Sequence, residues 1–329
     1  MILTLTLVSL VSLFVGYRLR SYVWHATHKN PTTTISEFRA TGSDYQYINP
    51  LLGCSTSEKK ENSNYQDLRA LVADYIDAEK KKGDASRISV YYDTRDGRWF
   101  GNNIEERFFP ASLMKVPLMI AYFKKAESDP LILKNTYTRT DREDKNEKEN
   151  FRSQQTIEYG KSYTVDELIQ YMTKYSDNNA TALLVENIDT DILNEIFTDL
   201  GIQIPADVGS TLADYMTVKE YANFFRILYN ATYLNRDMSE KALSYLAASD
   251  FIAGIKGGVA HTIPVAHKFG ERAYGVNDGA GKELHDCGIV YEPDAPYMLC
   301  VMTSGTDYSK LSGIIQDITK IVETKKALQ

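Results

Sequence analysis

Strand-forming sequence lies at both ends of the foldable part of this chain, and helix-forming sequence fills the middle. Near the start, "RISVYYDTRDGRWFG" (Arg87 to Gly101) reads as a hairpin turning at Arg95-Asp96-Gly97. Near the end, "VAHKFGERA", "ELHDCGIVYE" and "PYMLCVMTSG" read as three more strands, the last two joined by the turn Glu292-Pro293-Asp294-Ala295-Pro296. Between them, "TVDELIQYMTKY" opens with a capping box, Thr164 to Glu167, and "TVKEYANFFRILY" opens with another, Thr217 to Glu220. One antiparallel sheet must then be assembled from early and late segments. The expected class is α+β, a sheet flanked by N- and C-terminal helices with an all-helical subdomain beside it.

The flanking helices are legible too. "YQDLRALVADYIDAEKKK" carries Leu68, Leu71, Val72, Tyr75 and Ile76 at helical spacing, and a final helix is expected from about Leu311 to Thr324. The chain is long enough for one large domain, 329 residues with 43% hydrophobic. A formal charge of -7 is the wrong sign for a protein that tracks phosphate backbones, so no nucleic-acid partner is expected.

The segment before the domain divides in two. Ile2 to Tyr17 is uncharged and apolar, followed by Arg18 and Arg20. Sixteen helical residues span roughly 24 Å, against about 30 Å of hydrocarbon, so residues 1–24 are expected to be a short membrane anchor or an uncleaved signal. The basic residues follow the apolar run, which opposes an outward orientation under the positive-inside rule. Residues 25–63 are polar and irregular and read as a linker, with the domain at 64–329. "LLGC", Leu51 to Cys54, has the form of a lipoprotein cleavage box but lacks an apolar stretch before it. The charged run Asp141 to Asn150 reads as a solvated loop.

Cysteine usage is sparse: Cys54, Cys287 and Cys300. The last two should face each other on adjacent strands, where two buried thiols are the commoner outcome and a bridge the alternative. His261, His267 and His285 have no partners at convincing ligand spacing, and neither a metal nor a cofactor is expected.

Chemistry centres on "FFPASLMKVPLM", where Ser112 and Lys115 lie three apart and would share a helix face. At a helix start, unpaired N–H groups favour a developing alkoxide, and Pro117 is tolerated there. A lysine among apolar neighbours is pushed toward the neutral form a base requires. The alternative is a lysine snorkelling at the surface. Spacing alone decides nothing, because Ser57 and Lys60 repeat it in the polar stretch. A second feature, Ser176-Asp177-Asn178, sits between two expected helices and could equally be a cap and turn. A third, Lys268-Phe269-Gly270, lies in an expected strand.

In this order the three features resemble the penicillin-recognising serine acyl-enzymes, most closely their class A β-lactamase-like branch, over about Tyr65 to Thr324. The resemblance implies the β-lactamase/transpeptidase-like fold and an acyl-enzyme at Ser112, with Lys115 as proton acceptor and Ser176 as proton relay. It implies that Asn178 binds the substrate's amide side chain and that Lys268 holds its carboxylate, while Gly270 leaves room along the strand. The N–H groups of Ser112 and Glu271 would form the oxyanion hole.

Two departures stand out. Phe269 replaces the usual hydroxyl residue, and Arg272 is a candidate to supply the lost carboxylate contact. No Glu-x-x-Leu-Asn follows Ser-Asp-Asn; the corresponding span offers only Asp207 and Asp214, which predicts slow deacylation. The substrate implied is a β-lactam or a cell-wall stem peptide, acted on by a monomeric, extracytoplasmic, membrane-anchored or secreted hydrolase. The competing readings are a D,D-peptidase-like enzyme and a non-catalytic wall-binding module on the same fold.

Overall fold

In the computed structural model the early and late strands close into one sheet. The structure describes residues 33–39, 45–58, 64–94, 98–204, 213–275, 281–293 and 295–326. Ile2 to Tyr17, the Arg95-Asp96-Gly97 turn and Asp207 lie outside them. Among the described residues no helix is long and apolar enough to cross a membrane.

Two units partition the chain: Met1–Ser36 with Ser55–Glu61, and Glu37–Cys54 with Asn62–Gln329. Within the stretch read as a linker, β1 (Thr33–Arg39) and β2 (Leu51–Glu58) pair as a two-stranded sheet. Between them the N–H groups of Gln46, Tyr47 and Ile48 donate to the Glu240 carboxylate at 2.8–3.1 Å.

The domain begins with α1 (Asn64–Lys82), then β3 (Arg87–Asp93) and β4 (Trp99–Asn102). A short β5 (Arg107–Phe108) leads to α2 (Lys115–Ser128). After a two-stranded pair, β6 (Thr136–Thr138) and β7 (Ser162–Thr164), come α3 (Val165–Lys174), α4 (Asn178–Glu186) and α5 (Thr190–Asp199). β8 (Met216–Thr217) precedes α6 (Val218–Asn230) and α7 (Arg236–Ala247). The chain returns through β9 (Val265–Tyr274), β10 (Gly281–Val290) and β11 (Tyr297–Gly305), and closes with α8 (Tyr308–Lys326). Both expected capping boxes are formed, at the starts of α3 and α6.

The sheet order is β4-β3-β11-β10-β9, every neighbour antiparallel, so the early hairpin joins the late strands through β3 and β11. β9 is left at the edge. Each central strand buries both faces, which is why these segments read as long apolar runs. Val90, Leu299 and Val301 face Leu68 and Val72 of α1 and Ile315 and Ile318 of α8. Tyr91, Met298 and Met302 face the helical layer that includes α2 and α6.

Cys287 stands directly opposite Cys300 and is bridged to it, instead of the two thiols that sequence statistics favoured. A directly opposed cross-strand pair already brings the side chains together, so the bridge needs no rearrangement of the sheet.

Candidate active site

Ser112 is not in an α-helix. It lies in the 3-10 turn Ala111–Met114, and the α-helix starts at Lys115. Residues three apart eclipse in a 3-10 turn, so Ser112 and Lys115 still share a face. Pro117 falls at the third residue of α2, where its missing N–H leaves no helical bond unmade.

Three other elements hold this turn. His285 of β10 sits with Nε2 3.1 Å from the Phe109 carbonyl, and its Nδ1 accepts from the Thr303 N–H at 3.3 Å. That arrangement requires a neutral ring with the proton on Nε2, and burial holds the imidazole down at about 3. His285 therefore positions a backbone carbonyl, with both ring nitrogens engaged. Tyr221 of α6 donates from its hydroxyl to the Leu113 carbonyl at 2.9 Å. Gly270 of β9 faces the turn so closely that a Cβ there would lie 2.7 Å from the Pro110 carbonyl oxygen. The room that Gly270 provides is taken by the turn that carries Ser112.

Lys115 and Lys268 converge on one hydroxyl. Lys115 Nζ donates to Ser176 Oγ at 3.0 Å, the Ser176 carbonyl at 2.6 Å and Asn178 Oδ1 at 2.6 Å. Lys268 Nζ donates to the same Ser176 Oγ at 2.9 Å and to the Phe269 carbonyl at 2.9 Å. With both lone pairs of Ser176 Oγ engaged as acceptors, its own proton is left to donate into the cleft. Ser176 reaches this position by adopting a left-handed backbone, φ 53°, between α3 and the N-cap of α4. Cap, turn and chemistry here are one structure.

Both lysines are buried, and burial lowers both. Lys115 falls to about 8, with Glu149, Asp177 and Glu271 pulling the other way. Lys268 is held well below the ordinary lysine value by its burial, to which the Lys115 charge adds. The snorkelling alternative for Lys115 is thereby excluded. If neutral Lys115 is the base, the acylation rate should rise about tenfold per pH unit below about 8 and level off above it. A pH–rate profile of covalent labelling checks this. The same shift makes folding stability rise with pH between about 8 and the ordinary lysine value of 10.5, where the unfolded chain binds the extra proton.

The remaining candidates are placed otherwise. Arg272 is engaged by Asp214 and Glu283, both at 2.8 Å, with its guanidinium over the Phe109 ring. The Asp214 carboxylate is also paired with Arg87 at 2.9 Å. Phe269 stacks on Phe251 with centroids 3.9 Å apart. The Glu271 carboxylate accepts from the N–H groups of Asn150 and Phe151 at 3.0 and 2.8 Å. Burial above all, with Glu149 beside it, pushes Glu271 up to about 7 against the pull of those donors.

The charged run Asp141 to Asn150 is solvent-exposed at seven of its ten residues, and it is also tied to the fold. Asn146 within it is buried, donating to Asp177 at 2.8 Å and accepting from the Asn178 N–H at 2.8 Å. Asp177 also takes the Ile157 N–H at 2.8 Å and the Thr156 hydroxyl at 3.0 Å. A run of charges looks solvated from sequence because nothing in its composition shows that its amides will satisfy a buried aspartate. Asn146 and Glu149 went unrecognised for that reason.

A cavity of about 520 Å3 lies elsewhere, bounded by Tyr47, Tyr229, Pro264 and Tyr291, and none of these site residues lines it.

Comparison with known proteins agrees with this architecture. No curated protein matches the chain. Among solved structures, a class A beta-lactamase from Mycobacterium abscessus is 22% identical with a TM-score of 0.63, covering 79% of this chain and 99% of its own. The penicillin-binding protein PBP-A, solved as an acyl-enzyme complex with penicillin G, is 18% identical with a TM-score of 0.62, covering 80% of this chain and 98% of its own. The TLA-1 extended-spectrum beta-lactamase is 16% identical with a TM-score of 0.65, covering 79% of this chain and 98% of its own. At these identities the likeness shows the fold, and a family model adds the rest. Residues 67–325 match the model of the Beta-lactamase enzyme family, and the chain belongs to that family.

Proposed function

We propose that the domain is an extracytoplasmic serine hydrolase that forms an acyl-enzyme at Ser112 with a β-lactam or a cell-wall-type peptide amide. The observation that carries this reading is the meeting of Lys115 and Lys268 at Ser176 Oγ, with Asn178 on the same Lys115 ammonium. Ser112 Oγ attacks the carbonyl carbon, and its proton passes to neutral Lys115, directly or through water. The oxygen that gains charge would be met by the N–H groups of Ser112 and Glu271, whose segments abut where Gly270 touches the Pro110–Leu113 turn. When the C–N bond breaks, the Ser176 hydroxyl protonates the leaving nitrogen and is reprotonated along its bond from Lys115.

Hydrolysis of the ester is the slow half. Asp214 is tied to Arg87 and Arg272, and the family's water-activating Glu-x-x-Leu-Asn is missing from the sequence. This favours a penicillin-binding, D,D-peptidase-like enzyme with a long-lived acyl group over a fast β-lactamase. Incubation with a penicillin and a chromogenic cephalosporin, followed by intact mass, tests the reading. A persistent adduct that maps to Ser112 is expected, with little colour. Absence of any adduct at millimolar ligand, with the strap described next released, would sink it.

A further inference from the structure

We propose that Lys145–Phe151 is a strap laid across the substrate groove, and that Glu149 decides which ligands reach Ser112. This rests on the acyl-enzyme reading. Lys268 of β9 and the Ser-Asp-Asn turn meet at Ser176 Oγ, so a ligand bound to both must cross this seam. The strap makes that passage. Asn178 Nδ2 has two protons, and the strap takes both, one at the Lys145 carbonyl at 3.2 Å and one at Glu149 Oε1 at 2.8 Å. On the other side the N–H groups of Asn150 and Phe151 donate to the side-chain carboxylate of Glu271 on β9, the edge strand along which an extended ligand would add. The Phe151 ring then locks against Phe251 and Tyr308, centroids 5.3 and 5.7 Å away.

Little room is left beside Ser176. The cavity bounded by Ser176, Glu149, Phe151 and Phe269 holds about 10 Å3, against ~300–1,000 Å3 for ligand pockets in general. Glu149 is not needed to hold the loop's near end, which Asn146 and Asp177 already anchor. Its contact instead consumes the donor that a substrate carbonyl would use. An entering ligand must offer an acceptor to Asn178 and displace the strap's amides from Glu271.

The test labels the full chain with a fluorescent penicillin and, separately, with a small fluorophosphonate. Penicillin labelling of Ser112 should be about tenfold faster in Glu149→Ala than in wild type, the scale of one charge-assisted hydrogen bond removed from the closed state. Glu149→Gln, which keeps the shape and loses the charge, should fall between them and carries the comparison if the alanine variant does not fold. Labelling of both variants at or below the wild-type rate overturns the strap. If neither probe labels any of these chains, the nucleophile reading fails, and hydrogen exchange decides the strap by itself. Exchange at the Asn150 and Phe151 amides about tenfold faster in Glu149→Ala supports it, and unchanged exchange overturns it.

Discussion

Lys115→Met is expected to slow acylation of Ser112 by about 10²–10⁴, the contribution of a positioned general base. The pH dependence through about 8 should vanish with it, leaving a flat residual rate. Stability should move much less. Removing a buried ammonium relieves its desolvation, while the Ser176 carbonyl and Asn178 Oδ1 lose a donor, and the two effects oppose each other. The measurement is the labelling rate across pH, with a melting curve beside it. A variant that labels at the wild-type rate with the same pH profile removes Lys115 from the mechanism.

Gly270→Ala should damage fold and rate together. The added Cβ would meet the Pro110 carbonyl oxygen at 2.7 Å and Leu113 N and Cγ at 3.1 Å, two of them backbone atoms of the nucleophile turn. Overpacking of this kind costs about 1–3 kcal/mol. The turn cannot yield freely, because His285 and Tyr221 hold it on the other sides. Relief by pushing β9 outward would separate the Ser112 and Glu271 amides, so the labelling rate should fall more than the lost stability alone explains. Chemical denaturation and labelling kinetics on the same sample distinguish the two. Wild-type stability would mean that the turn has room that the close approach denies.

Much of the fold was legible. Capping boxes at Thr164 and Thr217 are local chemistry, a hydroxyl and a carboxylate closing on amides within one turn, and both formed where the residues stand. The strands at either end were legible because burial on both faces leaves an unbroken apolar run. The Ser112 turn was read as helix and is 3-10, a difference that spacing cannot register, since residues three apart share a face in both.

The candidate site was legible in its members and not in its state. Ser112, Lys115, Ser176, Asn178 and Lys268 stand out by residue type and order. Their protonation does not, because the downward shifts of Lys115 and Lys268 come from burial that distant segments impose. Arg272 stands in sequence without a visible partner, and it is β10 that brings Glu283 beside it. His285 looked like a stray histidine until a neutral ring was needed at the Phe109 carbonyl.

From sequence by itself come the α+β class, the early and late strands of one sheet, and the identity of the residues proposed for acyl chemistry. These depend on local periodicity, capping and residue type. Tertiary structure alone decided that Cys287 and Cys300 are bridged, that Gly270 makes room for the Ser112 turn, and that a charged run reaches both Asn178 and Glu271. Each of those depends on what a distant segment brings within a few ångströms, and hydrogen bonding and desolvation act only at that range.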